Sequence, residues 1–314
     1  MFVLRFIQGI GVGGEWGGSV LLSMEWARTS KNRGFLASWP QLGGPSGFFL
    51  ANLAILAFSQ MSGDQFFSWG WRIPFWLSLV MVGIGLWIRL GILETPIFRQ
   101  VVANERVARA PVAEVLKRQP REIILVALAR MGQMVPAFVY AAFFFTYGMK
   151  VVGASRDFLL VVMLIASFFS FFTIPFSGYL SDRIGRKQIY ILGAVATGLF
   201  AFAYYALLDT AIPGLILLAT LVAYFFHDLM WGPLAALTAE CFTPRLRYSG
   251  ASIGFQLAAV FAGGPAPMIA TALLAWSGSG QAIALYIFVC AIVSVAATAA
   301  LPSSRGRDFA WDHI

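Results

Sequence analysis

The stretch FLLVVMLIASFFSFFTIPFSGYLS, residues 158–181, contains no charged residue and is long enough to form one helix across a bilayer. Further charge-free runs cover residues 34–63, 188–208 and 248–304, and the last of these has room for two helices around a turn at 277–281. Of all residues 59% are hydrophobic and 11% are charged, and the mean hydropathy is +0.78. Soluble domains carry about 25% charged residues. The composition therefore predicts an all-α membrane protein.

Charged residues and turn residues divide the chain into nine predicted transmembrane helices. These cover residues 2–27, 35–59, 71–92, 122–148, 155–181, 188–208, 212–238, 248–276 and 280–301. One side of this arrangement carries sixteen of the 22 Lys and Arg residues, namely Arg28, Lys31, Arg33, Arg99, Arg106, Arg109, Lys117, Arg118, Arg121, Arg183, Arg186, Lys187, Arg245, Arg247, Arg305 and Arg307. The positive-inside rule places that side and the C-terminus in the cytoplasm.

The remaining composition excludes several classes of function. The net charge of +8 follows from topology, so a nucleic-acid partner is not predicted. Cys241 falls at a helix end and Cys290 inside the last predicted helix, and the pair indicates neither a disulfide nor a metal site. No cofactor is predicted. No ATP-binding loop occurs in the sequence, which argues against an ATP-driven pump.

The glycines near the N-terminus spell GxGxxG, the string that opens many dinucleotide-binding domains. That function requires a strand before the glycines, and here only four residues precede Arg5. An oxidoreductase is therefore disfavoured. Gly9, Gly13 and Gly17 lie four residues apart and Gly11, Gly14 and Gly18 form a neighbouring strip, so the glycines are predicted to be a helix-packing surface.

An internal repeat divides the chain into two related parts. WGGSVLLSME (16–25) aligns without gaps on WGPLAALTAE (231–240), and Gln41-Leu42 then corresponds to Gln256-Leu257. The second copy is preceded by about 90 more residues of its own half than the first copy, which is enough for three helices. If the halves match, three further helices are expected before Met1. A functional nine-helix protein is the alternative.

Several motifs together resemble the major facilitator superfamily. GYLSDRIGRK (178–187) is similar to its loop signature GxxxD(R/K)xGR(R/K), RFIQGIGVGG (5–14) to its fourth-helix motif RxxQGxG, and GGPSG (43–47) to part of its fifth-helix motif. With GGEWGG (13–18), WGWRIPF (69–75) and ETPIF (94–98), the pattern is most similar to the metabolite:proton symporter branch. Members of that branch carry dicarboxylates, citrate, shikimate, or proline and betaine.

The resemblance implies a major facilitator-type helical bundle of which about nine of twelve helices are present. Residues 1–93 would form a partial N-terminal bundle equivalent to helices 4–6, residues 94–121 a cytoplasmic linker, residues 122–301 a C-terminal six-helix bundle and residues 302–314 a cytoplasmic tail. The linker also carries valine and leucine residues at amphipathic spacing and basic residues suited to an anionic membrane surface.

Charged residues inside the apolar helices are candidates for the solute or proton pathway, because each is costly to bury. The resemblance implies a role in proton coupling for Arg5, which could instead extend to the outer surface. Glu15 could carry a proton or pair with a buried Arg, or be a neutral buried acid bonded to backbone.

Arg130 is the clearest candidate for solute binding. Gln133 follows it one helical turn later and Tyr140 lies beyond, and a guanidinium flanked by amide and phenol groups suits an anionic metabolite. The alternative is a structural pair of Arg130 with another intramembrane acid. His227 and Asp228 suit a proton relay, although adjacent helical residues point about 100° apart and Asp228 could instead pair with an Arg.

Charged residues at the cytoplasmic helix ends resemble the inner gate of the superfamily. Asp182 and Arg186 are expected to form a charged cluster, with Glu240 pairing with Arg245 or Arg247 and with Glu25 and Arg33 as the first-half counterparts. A purely topological role for the basic residues is the alternative. The predicted gate set is Glu25, Arg33, Gly178, Asp182, Arg183, Gly185, Arg186, Lys187, Glu240, Arg245 and Arg247.

The sequence thus predicts a monomeric, multi-pass cell-membrane transporter and no enzymatic activity. We expect proton-coupled symport of a small metabolite, a carboxylate in the first instance, by alternating access. Its partners would be the solute, protons and the bilayer. A non-transporting membrane sensor or an inactive gene fragment is the alternative.

Overall fold

The computed structural model describes residues 2–26, 32–62, 65, 68–91, 111–243 and 245–302, and the chain in these ranges is helical. The helices are α1 (Phe2–Trp26), α2 (Arg33–Ser38), α3 (Gly43–Ser62), α4 (Arg72–Gly91), α5 (Pro111–Arg118), α6 (Pro120–Phe138), α7 (Phe144–Lys150), α8 (Arg156–Ile184), α9 (Arg186–Leu208), α10 (Pro213–Ala239), α11 (Arg247–Ala258), α12 (Ala266–Ser277) and α13 (Gly280–Ala300). Below, α1–α4 are called the first half and α6–α13 the second half.

Seven helical segments in the described ranges are long and apolar enough to cross a membrane. They are Arg33–Phe58, Pro120–Lys150, Arg156–Ile184, Arg186–Leu208, Pro213–Ala239, Arg247–Ser277 and Gly280–Ala300. Each overlaps one predicted helix. The chain is also helical over α1 and α4, where the other two helices are predicted, but neither is among the seven, and the apolar part of α4 is the shorter segment Arg72–Ile88. The prediction of nine transmembrane helices is therefore matched at seven positions.

In two of the long segments, a π-helical turn joins two α-helices into one continuous helix. A π-helical turn at Val139–Phe143 joins α6 to α7, and another at Ala259–Gly263 joins α11 to α12. The first follows Pro136, which cannot donate the regular backbone hydrogen bond inside a helix. Such turns often occur at functional sites, and the first one adjoins the cavity described below.

The second half forms the main core. Helix α9 packs against both α10 and α13, α10 packs against α8, and α13 and α11 pack against α6. The apolar interior includes a group of fully buried tyrosines from the π-helical turn Val139–Phe143, α7 and α9. The predicted linker is described only from residue 111 onward, where α5 places Val115 in the core beside Leu246.

The first half packs on the second through α1, α2 and α3. Helices α2 and α3 lie against α8, α2 also contacts α10, and α1 contacts α11. Of the predicted glycine surface, Gly17 is buried against Ser252 of α11, whereas Gly9 has no neighbour among the described residues. The predicted surface is thus realised at one turn of α1, because only that part of the helix meets α11.

A cavity between the halves

A cavity of about 270 Å³ lies where α3 of the first half meets α6, α8 and α10 of the second. Gly44 and Pro45 of the GGPSG motif form part of its apolar wall together with Phe48. Its polar lining consists of Arg130, Gln133, Tyr140, Ser167, Ser170, Tyr224, His227, Asp228 and Trp231. The fold thus brings five of the seven predicted pathway residues, Arg130, Gln133, Tyr140, His227 and Asp228, to one site.

Arg130 is 4% exposed and holds its guanidinium against Phe255 of α11. The guanidinium carbon lies 3.1 Å from the centre of the Phe255 ring, and Nη1 donates a hydrogen bond to the Phe255 carbonyl oxygen. The described side chains provide no ion pair with Arg130, so the predicted alternative, a structural pair with an intramembrane acid, is not seen there. The cavity wall therefore contains a buried cation whose charge is balanced by no carboxylate in contact with it.

A hydrogen-bonded row runs from α6 through α10 to α8. Gln133 Nε2 lies 2.8 Å from His227 Nε2, and His227 Nδ1 lies 3.1 Å from Asp228 Oδ1. The other Asp228 oxygen accepts a hydrogen bond from the Thr173 hydroxyl, and Ser177 donates to the Asp228 carbonyl at 2.8 Å. Asp228 thus pairs with His227 and Thr173, and the predicted alternative, a pair of Asp228 with an arginine, is not seen among the described residues.

Four buried polar atoms on the cavity residues have no hydrogen-bond partner. They are Arg130 Nε, Gln133 Oε1, the Tyr140 hydroxyl and Ser170 Oγ. Buried polar groups are normally satisfied, so a cluster of unsatisfied ones needs an explanation. A polar ligand in the cavity would supply the missing partners.

Two tryptophans from corresponding positions of the repeat, Trp16 and Trp231, both contact Gln41, and Trp231 also lines the cavity. Trp16 Nε1 donates to the side-chain oxygen of Gln41 at 2.8 Å, and Trp231 Nε1 donates to the Gln41 carbonyl at 2.9 Å. Gln41 is 1% exposed and donates from its own amide to the Trp231 carbonyl at 3.3 Å. The Trp16 ring stacks on Phe255 with 3.4 Å between ring centres. Gln41 therefore ties together the two halves beside the Arg130 site.

The charged residues of the loop signature join the halves at the end of the bundle where the basic loops meet, here called the basic end. Asp182 accepts hydrogen bonds from the backbone N–H groups of Gly34 at 2.8 Å and Phe35 at 2.9 Å. These N–H groups are at the start of α2, where a helix favours an anion. A side chain on Gly178 would lie 2.7 Å from the Gly34 carbonyl oxygen, which explains the glycine.

The partner of Glu240 differs from the prediction. Arg186 bridges Asp182 at 3.3 Å and Glu240 at 3.1 Å, so Glu240 pairs across α8 and α9 with the signature loop. Arg245 instead pairs with Glu114 of α5 at 3.2 Å, and Arg247 donates from Nε to the Ala239 carbonyl at 2.9 Å. The predicted pairing of Glu240 with Arg245 or Arg247 is therefore not seen among the described residues, because Arg186 at the start of α9 reaches Glu240 instead.

The other signature residues have separate contacts. The Arg183 guanidinium lies over the Tyr179 ring at 4.5 Å, and Lys187 donates to the Ala299 and Leu301 carbonyls at the end of α13. Gly185 has φ of 125° between α8 and α9, a backbone conformation that favours glycine. These three residues therefore shape the turn and stay outside the ion-pair cluster, whereas Arg33 begins α2 next to the Gly34–Asp182 contact.

Of the three remaining predicted residues, the structure describes the side chain of Glu15. The side chains of Arg5 and Glu25 lie outside the described residues. Glu15 is exposed on α1 and does not line the cavity, because the described helices that surround the cavity do not cover that face of α1. Its predicted burial as a proton carrier is not seen.

Sequence reasoning missed several residues of both sites. Ser170, Thr173 and Ser177 follow one another at spacings of three and four along α8, so their polar face was readable from the sequence. Gln41, Trp16 and Trp231 were visible only as repeated positions. Phe255 carried no signal, because its role depends on α11 packing against α6 across a long sequence separation.

Comparison with known proteins places the chain in a family. Residues 1–311 match the family described as "Sugar (and other) transporter". The chain is 36% identical over 312 residues to the shikimate transporter of Escherichia coli K12, which covers 98% of this chain and 71% of the relative. It is also 36% identical over 289 residues to the inner membrane metabolite transport protein YhjE of the same organism, covering 90% of this chain and 65% of the relative.

A more distant relative and a solved structure extend the comparison. The glycine betaine/proline/ectoine/pipecolic acid transporter OusA of Dickeya dadantii is 28% identical over 94% of this chain and 60% of its own length. The proton:xylose symporter XylE bound to 6-bromo-6-deoxy-D-glucose aligns with a TM-score of 0.63 at 20% identity, over 90% of this chain and 66% of XylE. That likeness concerns the fold. The chain belongs to the sugar (and other) transporter family of the major facilitator superfamily, a family of membrane transporters and not of enzymes.

Proposed function

We propose that this protein is a secondary active transporter that carries a small carboxylate together with a proton by alternating access. The observation that carries the proposal is the buried Arg130 guanidinium on the wall of the cavity between the halves. A buried charge without a contacting counter-charge is costly in a membrane, and a solute carboxylate would remove that cost. Solute binding and charge compensation are then one event.

The unsatisfied groups around Arg130 support a solute with several polar atoms. Arg130 Nε can donate to a carboxylate, while the Tyr140 and Ser170 hydroxyls can donate or accept and Gln133 Oε1 can only accept. A carboxylate that also bears hydroxyl groups can bond to Arg130, Tyr140 and Ser170. The shikimate transporter of Escherichia coli is among the relatives, and so is a transporter named for glycine betaine and proline.

The row from His227 to Asp228 supports proton coupling. His227 and Asp228 are the ionisable neighbours of the solute groups on α10, and a histidine can gain and lose a proton in the physiological range. Because Gln133 contacts both the solute cavity and His227, a proton on His227 and a solute at Arg130 act on adjacent groups.

The contacts at the basic end support alternating access. Asp182 holds the first half through Gly34 and Phe35, and the Gln41 contacts form a second layer nearer to the cavity. These contacts would separate when the halves rock. We place the basic end in the cytoplasm with the C-terminus, since it carries the excess of Lys and Arg.

The proposal includes the finer architecture. The internal repeat supports nine transmembrane helices that belong to a twelve-helix protein, with a partial N-terminal bundle at 1–93, a linker at 94–121, a C-terminal bundle at 122–301 and a tail at 302–314. The chain spans 71% of the shikimate transporter and 65% of YhjE. Transport by this chain, which is an activity of those longer relatives, is therefore proposed and not taken from them. We place it in the cell membrane as a monomer.

The test is uptake by proteoliposomes that contain this chain, with labelled shikimate, citrate and glycine betaine as probes. An imposed inward proton gradient should accelerate uptake of a carboxylate, and an uncoupler should abolish that acceleration. Arg130→Met should reduce carboxylate uptake by about a hundredfold, the expected cost of losing a charge-assisted contact at a buried site. Arg121→Met changes an exposed arginine at the start of the same helix and should leave uptake unaltered.

The other outcomes separate the alternatives. Binding of a probe without its movement would make the protein a sensor. Uptake that appears only when an upstream three-helix segment is added would support the twelve-helix architecture and make this chain a fragment. Equal carboxylate uptake by the wild type and Arg130→Met would overturn the assignment of the solute site.

A further inference from the structure

Gln133 is the cavity residue that contacts the predicted proton site directly. Its side-chain amide nitrogen lies 2.8 Å from His227 Nε2, while its side-chain oxygen has no hydrogen-bond partner. Gln133 is 2% exposed and lies one helical turn from Arg130 on α6. An amide so placed touches the histidine on one side and the solute cavity on the other.

The hydrogen bonds define the protonation state of the histidine ring. The amide NH₂ of Gln133 can only donate, so His227 Nε2 accepts and carries no proton. Nδ1 then carries the ring proton and donates it to the Asp228 carboxylate at 3.1 Å. This arrangement of hydrogen bonds fits a neutral His227 ring with its proton on Nδ1, and the Thr173 hydroxyl donates to the other Asp228 oxygen.

We propose that Gln133 reverses its amide when His227 takes up a proton, and that this reversal couples the proton to the solute, on the basis of the proposed function above. A proton added to Nε2 makes that atom a donor, which the Gln133 NH₂ cannot accept. Rotation of the amide by half a turn brings Oε1 to Nε2. The NH₂ group then points where Oε1 was, and the cavity gains a donor in place of an acceptor.

The direction of this change favours symport of an anion. With His227 neutral, the cavity offers the lone pairs of Gln133 Oε1 close to the site of Arg130, which repel a carboxylate. With His227 protonated, the same position offers N–H groups that donate to a carboxylate. Proton binding and anion binding therefore strengthen each other, and linkage makes the effect reciprocal.

Among the described residues that line the cavity, Gln133 is the one placed to couple a proton on His227 to the solute site. The titratable or charged side chains of the cavity are Arg130 on α6, Tyr140 on the π-helical turn that follows it, and Tyr224, His227 and Asp228 on α10. The cavity residues of α3 are Gly44, Pro45 and Phe48, and those of α8 are Ser167 and Ser170, none of which titrates in the relevant range. Tyr224 meets the His227 ring with 6.3 Å between ring centres.

The chain offers a direct probe of the histidine, because it contains two histidines, His227 and His313. In a His313→Ala variant labelled with ¹⁵N-histidine, the imidazole signals report His227 alone. We expect a protonated Nδ1 and an unprotonated, hydrogen-bonded Nε2 in the neutral ring, and both nitrogens protonated once the ring has taken up a proton as the pH is lowered. Both the wild-type glutamine and Gln133→Met should show this proton uptake.

Shikimate binding to the same protein in nanodiscs then tests the coupling. The wild type should bind about tenfold more tightly at about pH 5 than at about pH 8, as expected for one donor exchanged against one acceptor at a charged group. Gln133→Met has a similar length and no hydrogen-bonding group, and its affinities at the two pH values should agree within about twofold. Gln281→Met, on the exposed end of α13, should keep the wild-type ratio.

A second variant keeps the test decisive if Gln133→Met does not fold. Gln133→Glu can accept from a protonated ring but cannot present a donor to the cavity, so it should keep His227 protonated at both pH values and bind shikimate weakly at both.

A structural role for Gln133 alone would weaken binding equally at the two pH values and retain the tenfold ratio, which would overturn the proposal. Wild-type binding that does not depend on pH would also overturn the proposed coupling, but it would not contradict the solute site at Arg130. Absence of shikimate binding by the wild type at both pH values would overturn the shikimate-type solute site and this coupling together.

Discussion

The Asp182 carboxylate and the backbone N–H of Gly34 form a 2.8 Å hydrogen bond between the two halves of the repeat. A second bond from Phe35 and the ion pair with Arg186 complete the environment of this side chain, which is 5% exposed. One residue of the loop signature thus satisfies the first N–H groups of a helix from the other half. The closed basic end depends on this contact.

Asp182→Asn should open the basic end. Asparagine keeps one acceptor but loses the charge and the second acceptor, which should cost the closed arrangement about 1–3 kcal/mol and raise the open population about tenfold or more. Ser38 is fully buried beside Gly178, so a Ser38→Cys thiol in a background without Cys241 and Cys290 reports opening. We expect its maleimide labelling to accelerate about tenfold.

Asp157→Asn provides the matched control for that substitution. Asp157 lies at the other end of the same helix and is exposed. Its replacement should leave the labelling rate unaltered. A labelling rate in Asp182→Asn equal to that of the parent would show that the Gly34 contact does not hold the basic end closed.

Gly178→Ala should destabilise the same contact by crowding. The added methyl group would lie 2.7 Å from the Gly34 carbonyl oxygen and 2.8 Å from Ser38 Cβ, so α2 has to move away from α8. Overpacking of this kind costs about 1–3 kcal/mol. The unfolding temperature in detergent should fall, whereas Gly83→Ala on α4, where a methyl group meets no described neighbour, should not lower it. Equal unfolding temperatures for both variants would contradict the close approach.

The sequence predicted the long helices well because the bilayer imposes a simple rule. Seven predicted helices coincide with described segments to within a few residues, since each is a long apolar run bounded by charged or turn residues. Arg130, Gln133, His227 and Asp228 were also found from sequence, because polar groups stand out in such runs.

Pairing between helices could not be predicted in the same way. Glu240 was assigned to Arg245 or Arg247, which are close to it in sequence, but the folded chain brings Arg186 to it from α9. The contact of Arg130 with Phe255 joins residues 125 positions apart. Glu15 was expected inside because it lies in an apolar run, yet its face of α1 is exposed. Composition predicts which residues enter the membrane, and packing decides which side chains meet.

Cys241 should be nearly inert to alkylation in the folded protein. Its thiol follows the end of α10, and burial, reinforced by the negative charge of Glu240, raises its pKa to about 12. An unfolded cysteine has a pKa of about 8.5, so the thiolate fraction of the folded protein is about a thousandfold lower at neutral pH. The thiol also donates to the Leu237 carbonyl at 3.1 Å.

The measurement is iodoacetamide labelling of a Cys290→Ala variant, which leaves Cys241 as the remaining thiol. Folded protein should label about a thousandfold more slowly than denatured protein at neutral pH. Because the pKa is raised on folding, this group stabilises the fold below the unfolded value, and the stabilisation is lost as the pH rises from about 8.5 towards 12. Rapid labelling of the folded protein at neutral pH would contradict this environment.

Gln41→Leu should shift the same equilibrium between a closed and an open basic end that Asp182→Asn shifts. The substitution removes the acceptor of the Trp16 indole and the donor to the Trp231 carbonyl, and an unpaired buried N–H costs about 1–3 kcal/mol. Gln65→Leu is the matched control, because Gln65 also accepts from an indole, that of Trp69, but on an exposed turn.

If the Gln41–tryptophan contacts and the Asp182 contacts belong to one closed state, Gln41→Leu alone should accelerate labelling of the Ser38→Cys thiol. Gln41 and Asp182 share no contact partner in the described chain. The free-energy costs of Gln41→Leu and Asp182→Asn should therefore add in the double variant until labelling reaches the rate of the open form. Two independent gates in series predict a different result, because Gln41→Leu would then leave the Ser38→Cys rate at its parent value while Asp182→Asn still raised it. The single variants therefore decide whether the tryptophan layer and the Asp182 contact move together.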